Sequence, residues 1–127
     1  MIYDIIIIGG GPAGLSAAIY ASRALKKTLI IEKSVFGGQI TQASKVENYP
    51  GFEEVSGMDL GEKMADQAKK LGVENIYGEV TQIKKNEETF TVTVGQKEYL
   101  SKVVIYATGA SPRKLHVDNE TKLLGAG

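Results

Sequence analysis

A chain of 127 residues with 43% hydrophobic side chains is long enough for one domain with a real core, since a domain near this size buries about two thirds of its unfolded surface. Its 15 basic and 15 acidic side chains cancel, which excludes the one-signed surface of a nucleic-acid binder or a polybasic membrane anchor and points to a small-molecule partner. The absence of cysteine excludes a disulfide framework, a thiolate metal site and any dithiol redox chemistry carried by this chain.

The first thirty-two residues read as a βαβ unit. Ile5-Ile6-Ile7-Ile8 is β-branched throughout with no polar alternation, the pattern of a strand covered on both faces in a parallel sheet. Gly9, Gly11 and Gly14 then supply a G-x-G-x-x-G turn: the first for the tight turn, the second for close approach of a pyrophosphate, the third for helix–strand contact. Ala13 to Leu25 is predicted helical, with Leu15, Ala18, Ile19 and Leu25 toward one side and small alanines keeping it slim. Its amino end faces the glycine turn, where free N–H groups and the helix dipole favour a phosphate. Thr28 to Ile31 makes the second strand. Glu32 stands at its tip, about 20 residues beyond the glycines, where a carboxylate accepts from a ribose hydroxyl pair and repels a 2′-phosphate. FAD and NAD therefore fit better than NADP.

Lys33 to Gly57 is rich in Gly, Pro, Ser and Asn and lacks helical period, so it reads as a long functional loop. Within it, Gly37-Gly38-Gln39-Ile40 suits close approach of backbone to a flat ligand, and Tyr49 and Phe52 bracket a Pro-Gly turn. Ser56, with Asp59 three residues on, marks a helix start. Leu60, Met64, Ala68 and Leu71 recur at helical spacing, Gly72 is a suitable stop, and Met58 and Met64 read as core packing.

From Val73 to Leu100 the pattern turns to short strands, Val73 to Tyr77, Glu79 to Lys84, Thr89 to Val94 and Lys97 to Leu100, the last three forming an antiparallel meander with turns at Asn86-Glu87 and Gly95-Gln96. Val103-Val104-Ile105-Tyr106 is again continuously apolar, so the chain returns to the buried parallel sheet. Ala107-Thr108-Gly109 closes that strand beside the first glycine loop, where open α/β sheets bind ligands. Ser111, His116 and Asp118 lie within eight residues in one loop-like stretch, with no second element to hold a nucleophile against its base, so a triad is rejected. No catalytic residue and no metal ligand is assigned.

With these residues in view, the chain resembles the amino-terminal FAD-binding portion of bacterial thioredoxin reductases, in the pyridine-nucleotide disulfide oxidoreductase family. The resemblance rests on GGGPAGLSAAIYASRA at Gly9 to Ala24, IEKSVFGGQI at Ile31 to Ile40, VENYPGF at Val46 to Phe52 and VVIYATGASPRKL at Val103 to Leu115. It implies a three-layer α/β fold, a Rossmann-like FAD/NAD(P)-binding arrangement with a parallel central sheet and an antiparallel β-meander. It implies further that Gly9 and Gly11-Pro12-Ala13-Gly14 surround the FAD pyrophosphate, and that Glu32 meets the adenosine ribose with Lys33 beside it. Gly38 and Gln39 then face the flavin, Asn48 its isoalloxazine neighbourhood and Val80 the adenine, while Ala107, Thr108 and Gly109 line the cofactor from the returning strand.

The tail departs from the family, with His116-Val117-Asp118-Asn119 where a Gly-Val-Pro-Gly-like run is usual. On the same resemblance, residues 1–115 are the first segment of an incomplete FAD-binding domain, and residues 116–127 are a linker toward an NADPH-binding domain carrying a Cys-x-x-C pair. The expected activity belongs to a longer flavoenzyme of the thioredoxin-disulfide reductase type, passing electrons from NADPH through FAD to a disulfide on a thioredoxin-like protein. The chain alone is expected to be inactive, to have no membrane or nucleic-acid partner, and to self-associate or form a homodimer through apolar surface that an unfinished domain exposes. With no basic leader and no apolar run near the ~20 residues that cross a bilayer, a cytoplasmic location is the default. Two rival readings are a self-sufficient FAD- or ADP-binding module without turnover and a fragment of an NAD-dependent dehydrogenase. The long Gly38-Gln39 loop and the second glycine motif at Ala107-Thr108-Gly109 argue against the latter.

Overall fold

The computed structural model describes residues 1–123. Its elements, in order, are β1 (Ile2–Ile8), α1 (Pro12–Arg23), β2 (Thr28–Glu32), a 3₁₀ turn (Gly38–Gln42), α2 (Gly57–Lys70), β3 (Glu74–Tyr77), β4 (Val80–Lys85), β5 (Phe90–Val94), β6 (Lys97–Tyr106) and α3 (Glu120–Leu123). The strands form one six-stranded sheet in the order β3-β2-β1-β6-β5-β4. β3, β2, β1 and β6 run parallel, and β6, β5 and β4 are joined antiparallel as the meander.

The all-apolar β1 and β2 are central because both of their faces are covered. On one face Ile7 and Ile30 pack against Leu15 and Ala18 of α1, Ala68 of α2 and Phe36. On the other, Ile6, Ile8, Leu29 and Ile31 meet Val92 of β5, so the meander curls over the sheet as a third layer. Ile6, Ile7, Leu29, Ile30 and Val92 are fully buried, and each such side chain contributes roughly 1.5–3 kcal/mol of transfer free energy.

Several boundaries differ from the sequence reading. α1 ends at Arg23, because Leu25 takes a positive φ of 59° and is 92% exposed instead of facing the core. Met58 and Leu71 are also exposed, so the buried stripe of α2 is narrower than its spacing suggests, although Met64 does pack on the core. The two segments Lys97 to Leu100 and Val103 to Tyr106 are one continuous strand. The polar pair between them does not break it, since Ser101 is fully buried and its hydroxyl donates to the Val103 carbonyl at 2.6 Å. In the tail, α3 is a single turn whose Glu120 carboxylate accepts from the Leu115 and His116 N–H groups. The final Gly125-Ala126-Gly127 lies outside the described residues. Ser56 caps α2 as expected, accepting the Asp59 N–H at 3.1 Å.

Candidate functional site

The carboxyl ends of β1, β2 and β6 lie side by side, and the loops leaving them enclose a cleft of about 560 Å³. That size is within the range of small-molecule and cofactor sites. Its walls come from Gly9 and Gly11 to Ala13 after β1, from Glu32 at the tip of β2 with Lys33 to Val35, Gly38 to Ile40 and Gln42 beyond it, and from Ala107 to Ser111 after β6.

The glycine turn explains itself sterically. Gly9 has φ +110°, and a Cβ there would stand 2.0 Å from the Ala107 carbonyl oxygen. A Cβ on Gly14 would stand 1.9 Å from the Gly9 carbonyl oxygen, so the start of α1 rests directly on the end of β1. Gly11 is different: its added Cβ would meet only Gly38 Cα, at an ordinary 3.7 Å. Gly11 is the N-cap of α1, makes no side-chain cap bond, and no acidic residue occupies the first turn. Unpaired N–H groups and the positive end of the helix dipole therefore open into the cleft, which suits a phosphate.

Glu32 is buried at the tip of β2. Its Oε2 accepts the Gly10 N–H at 2.6 Å and its Oε1 accepts the Ser34 N–H at 2.8 Å. A carboxylate offers about four acceptor sites, so each oxygen keeps one direction free. The second loop is pinned by Gly37 N–H on the Gly10 carbonyl at 2.8 Å and by Phe36, whose ring fills the space that a Gly10 side chain would need. Gln39 Nε2 donates to the Ala110 carbonyl, linking the 3₁₀ turn to the loop after β6.

A smaller hollow of about 140 Å³ adjoins this cleft through Gly9, Glu32, Lys33 and Thr108, and is walled by Gly78, Val80 and Tyr106. The structure thus brings together Gly9, Gly11, Pro12, Ala13, Glu32, Lys33, Gly38, Gln39, Ala107, Thr108 and Gly109 around the main cleft, with Val80 next door. Gly14 lies under it in a packing position, and Asn48 is exposed and lines neither hollow. Sequence reasoning missed Ser34, Val35 and Gln42 of the second loop, Ala110 after β6, and Tyr106, while Ile40 belongs to the segment that it singles out. Adjacency to Lys33 and to Gly38-Gln39 is the only signal that points to the first three. His116, Ser111 and Asp118 are exposed, with no hydrogen bond joining them among the described residues.

Residues 3–127 match the family described as pyridine nucleotide-disulphide oxidoreductase, and the chain belongs to that family. Within it, the part matched is the amino-terminal, FAD-binding portion of bacterial thioredoxin reductases. The thioredoxin reductase of Listeria monocytogenes is 49% identical over 126 residues, covering 99% of this chain and 40% of the relative. That of Bacillus subtilis is 48% identical over 126 residues, with the same shares. The chain thus spans about 40% of the length of these curated relatives. Among solved structures, Lactococcus lactis thioredoxin reductase superposes with a TM-score of 0.89 at 44% identity, covering 95% of this chain and 40% of that one. A ferredoxin-flavin thioredoxin reductase from Clostridium acetobutylicum gives a TM-score of 0.82 at 35% identity, covering 98% of this chain and 43% of that one.

Proposed function

We propose that the chain binds FAD in the cleft at the ends of β1, β2 and β6, as part of a flavoenzyme of the thioredoxin-disulfide reductase type. The observation that carries this reading is the shape of the cleft floor. Gly11 leaves open space above free helix N–H groups, while a buried carboxylate lies beside it with unused acceptor directions. Those two features match the two polar parts of a dinucleotide, its pyrophosphate and a ribose diol.

FAD supplies the electron-carrying chemistry when bound, and this chain's residues bind and orient it. The first turn of α1 holds the pyrophosphate through N–H groups, with Gly11 allowing the approach. Glu32 accepts from the adenosine ribose, and Lys33 flanks it. Val80 bounds the smaller hollow where the adenine lies. Gly38 and Gln39 face the flavin end against Ala107, Thr108 and Gly109. Asn48 is assigned to the isoalloxazine side on the resemblance alone, since it lies outside both hollows.

In the longer enzyme, electrons pass from NADPH through FAD to a disulfide on a thioredoxin-like protein. One relative's name points to ferredoxin in place of a nicotinamide as donor. The residues that would read the donor and the redox-active thiols are not in this chain, which has no cysteine. The chain by itself therefore binds cofactor without reducing disulfides, and it self-associates.

The test is a titration of purified apoprotein with FAD, followed by quenching of flavin fluorescence, alongside NAD. Saturable FAD binding with no comparable NAD binding supports the reading. Binding of NAD alone overturns it in favour of a dehydrogenase fragment. No binding of either overturns it for the isolated chain.

A further inference from the structure

The 3₁₀ turn Gly38–Gln42, which makes one wall of the main cleft, is seated on α2. At the far end of the turn the Gly57 N–H donates to the Ala43 carbonyl at 2.9 Å. A Cβ on Gly57 would stand 1.8 Å from the Ile40 carbonyl oxygen and 2.6 Å from that of Ala43, so backbone lies directly on backbone at the first residue of α2. One helical turn on, a Cβ on Gly61 would stand 2.8 Å from Thr41 Cγ2. The threonine methyl thus occupies the notch that Gly61 leaves.

The other branch of Thr41 points back into the turn, where its Oγ1 donates to the Gly38 carbonyl at 2.7 Å. Gly38, Gln39, Ile40 and Gln42 line the main cleft, and Thr41 lines neither hollow. Thr41 and Gly57 therefore act on the cleft only through the backbone they hold. The Glu32 carboxylate and the amino end of α1 belong to the opposite part of the cleft, carried by β2 and β1.

We infer that Thr41 and Gly57 are positioning residues for the flavin end of the cofactor. Gly57 sets how closely the Gly38–Gln42 wall can settle on α2, and the Thr41 hydroxyl keeps the Gly38 carbonyl turned back from the cleft. A wall seated before binding need not be ordered during it, so the loss of either hold subtracts from affinity at that end alone. The inference rests on the reading of the cleft as an FAD site. The adenosine end is positioned separately, and that separation is what distinguishes a positioning role from a general contribution to the fold.

The test compares FAD, followed by quenching of flavin fluorescence, with ADP, followed by calorimetry, on the full chain. Thr41→Val keeps the methyl in the notch but puts a second methyl where the hydroxyl was, 2.7 Å from the Gly38 carbonyl oxygen. That is closer than the roughly 3.3–3.6 Å of a C–H···O contact, so the turn must open. FAD should bind about two- to tenfold more weakly, with ADP affinity unchanged. Thr41→Ser keeps the hydroxyl and should restore FAD affinity. Gly57→Ala lifts the turn off α2 and should weaken FAD about tenfold or more, again without effect on ADP. If Gly57→Ala fails to fold, the Thr41 pair decides. Equal losses of FAD and ADP affinity overturn the inference, as does a Thr41→Ser variant as weak as Thr41→Val, or FAD affinity unchanged in Thr41→Val. If the wild type binds no FAD, the reading of the cleft fails, and hydrogen exchange in the apoprotein decides the positioning. Faster exchange over residues 38–43 in Thr41→Val, with β1 and β2 constant, supports it, and an unaltered pattern overturns it.

Discussion

The Glu32 carboxylate accepts the Gly10 N–H at 2.6 Å, so the acid at the end of β2 holds the glycine turn that follows β1. With Ser34 N–H on its other oxygen at 2.8 Å, Glu32 is a structural clamp as well as the proposed ribose acceptor. Both roles are lost in Glu32→Ala. Hydrogen bonds to a charged group contribute about 1.5–3 kcal/mol each, so the apoprotein should unfold at lower denaturant. FAD should bind roughly 10 to 100 times more weakly, at about 1.4 kcal/mol per factor of ten. Glu32→Gln keeps one carbonyl oxygen for one of the two N–H donors and should lose less stability. Unchanged unfolding and unchanged FAD affinity in Glu32→Ala would remove Glu32 from both roles.

The glycines of the turn separate fold from binding. Gly14→Ala places a methyl 1.9 Å from the Gly9 carbonyl oxygen, so α1 must lift off β1. Overpacking of this kind costs typically 1–3 kcal/mol and here meets rigid backbone, so a drop at or above that range is expected in denaturant melts. Gly11→Ala adds a methyl with only one neighbour, at 3.7 Å. Its stability should change by under about 1 kcal/mol, while FAD affinity falls at least tenfold because the methyl stands in the way of the pyrophosphate. Equal stability losses in the two variants would contradict this division.

How much of this was legible in sequence follows from which interactions are local. The βαβ unit, the cap at Ser56 and the strands of the meander are written in short-range periodicity and turn chemistry, and the structure has them. The glycine turn was legible because Gly9 and Gly14 answer steric demands at fixed spacing, with Gly11 between them leaving the space above the helix end open. The burial of Phe36 under Gly10 and the bond from Gln39 to Ala110 join segments far apart in the chain, and no periodicity encodes them. Ser101 shows the converse. A polar residue that read as a strand break is buried because a carbonyl two residues away satisfies its hydroxyl.

Gln39 is the only side chain that ties the 3₁₀ turn to the loop after β6 by a hydrogen bond among the described residues. An exposed neutral hydrogen bond contributes about 0.5–1.5 kcal/mol, so Gln39→Ala should leave global stability nearly unchanged. The two walls of the cleft would lose their tie, and FAD affinity should fall about two- to tenfold. Hydrogen exchange should quicken in residues 108–112 and stay constant in β1 and β2. An unaltered exchange pattern in that loop would show that the tie does not order it.

Tyr3 gives the fold a strong pH signature. Its ring is buried between Tyr99, at 6.4 Å between centroids, and Lys27, whose ammonium lies 5.4 Å from the ring centre. Its hydroxyl donates to Glu74 Oε2 at 2.5 Å, joining β1 to β3 across β2. Burial, then the hydrogen bond to Glu74 and that carboxylate's charge, push the phenol from 10.0 up to about 12. A group whose folded pKa is raised gives its stabilisation in full below the unfolded value and loses it as pH climbs through the folded one. The loss therefore falls between about pH 10 and pH 12, and a rise of that size corresponds to about 2–3 kcal/mol. In Tyr3→Phe no phenol remains to ionise at this position. The difference in unfolding free energy between wild type and Tyr3→Phe should therefore be constant up to about pH 10 and shrink or reverse toward pH 12. Other groups that titrate in this range act on both proteins and cancel in the comparison. A difference that stays flat from about pH 9 to about pH 12 would show that Tyr3 ionises as freely in the folded chain as in the unfolded one.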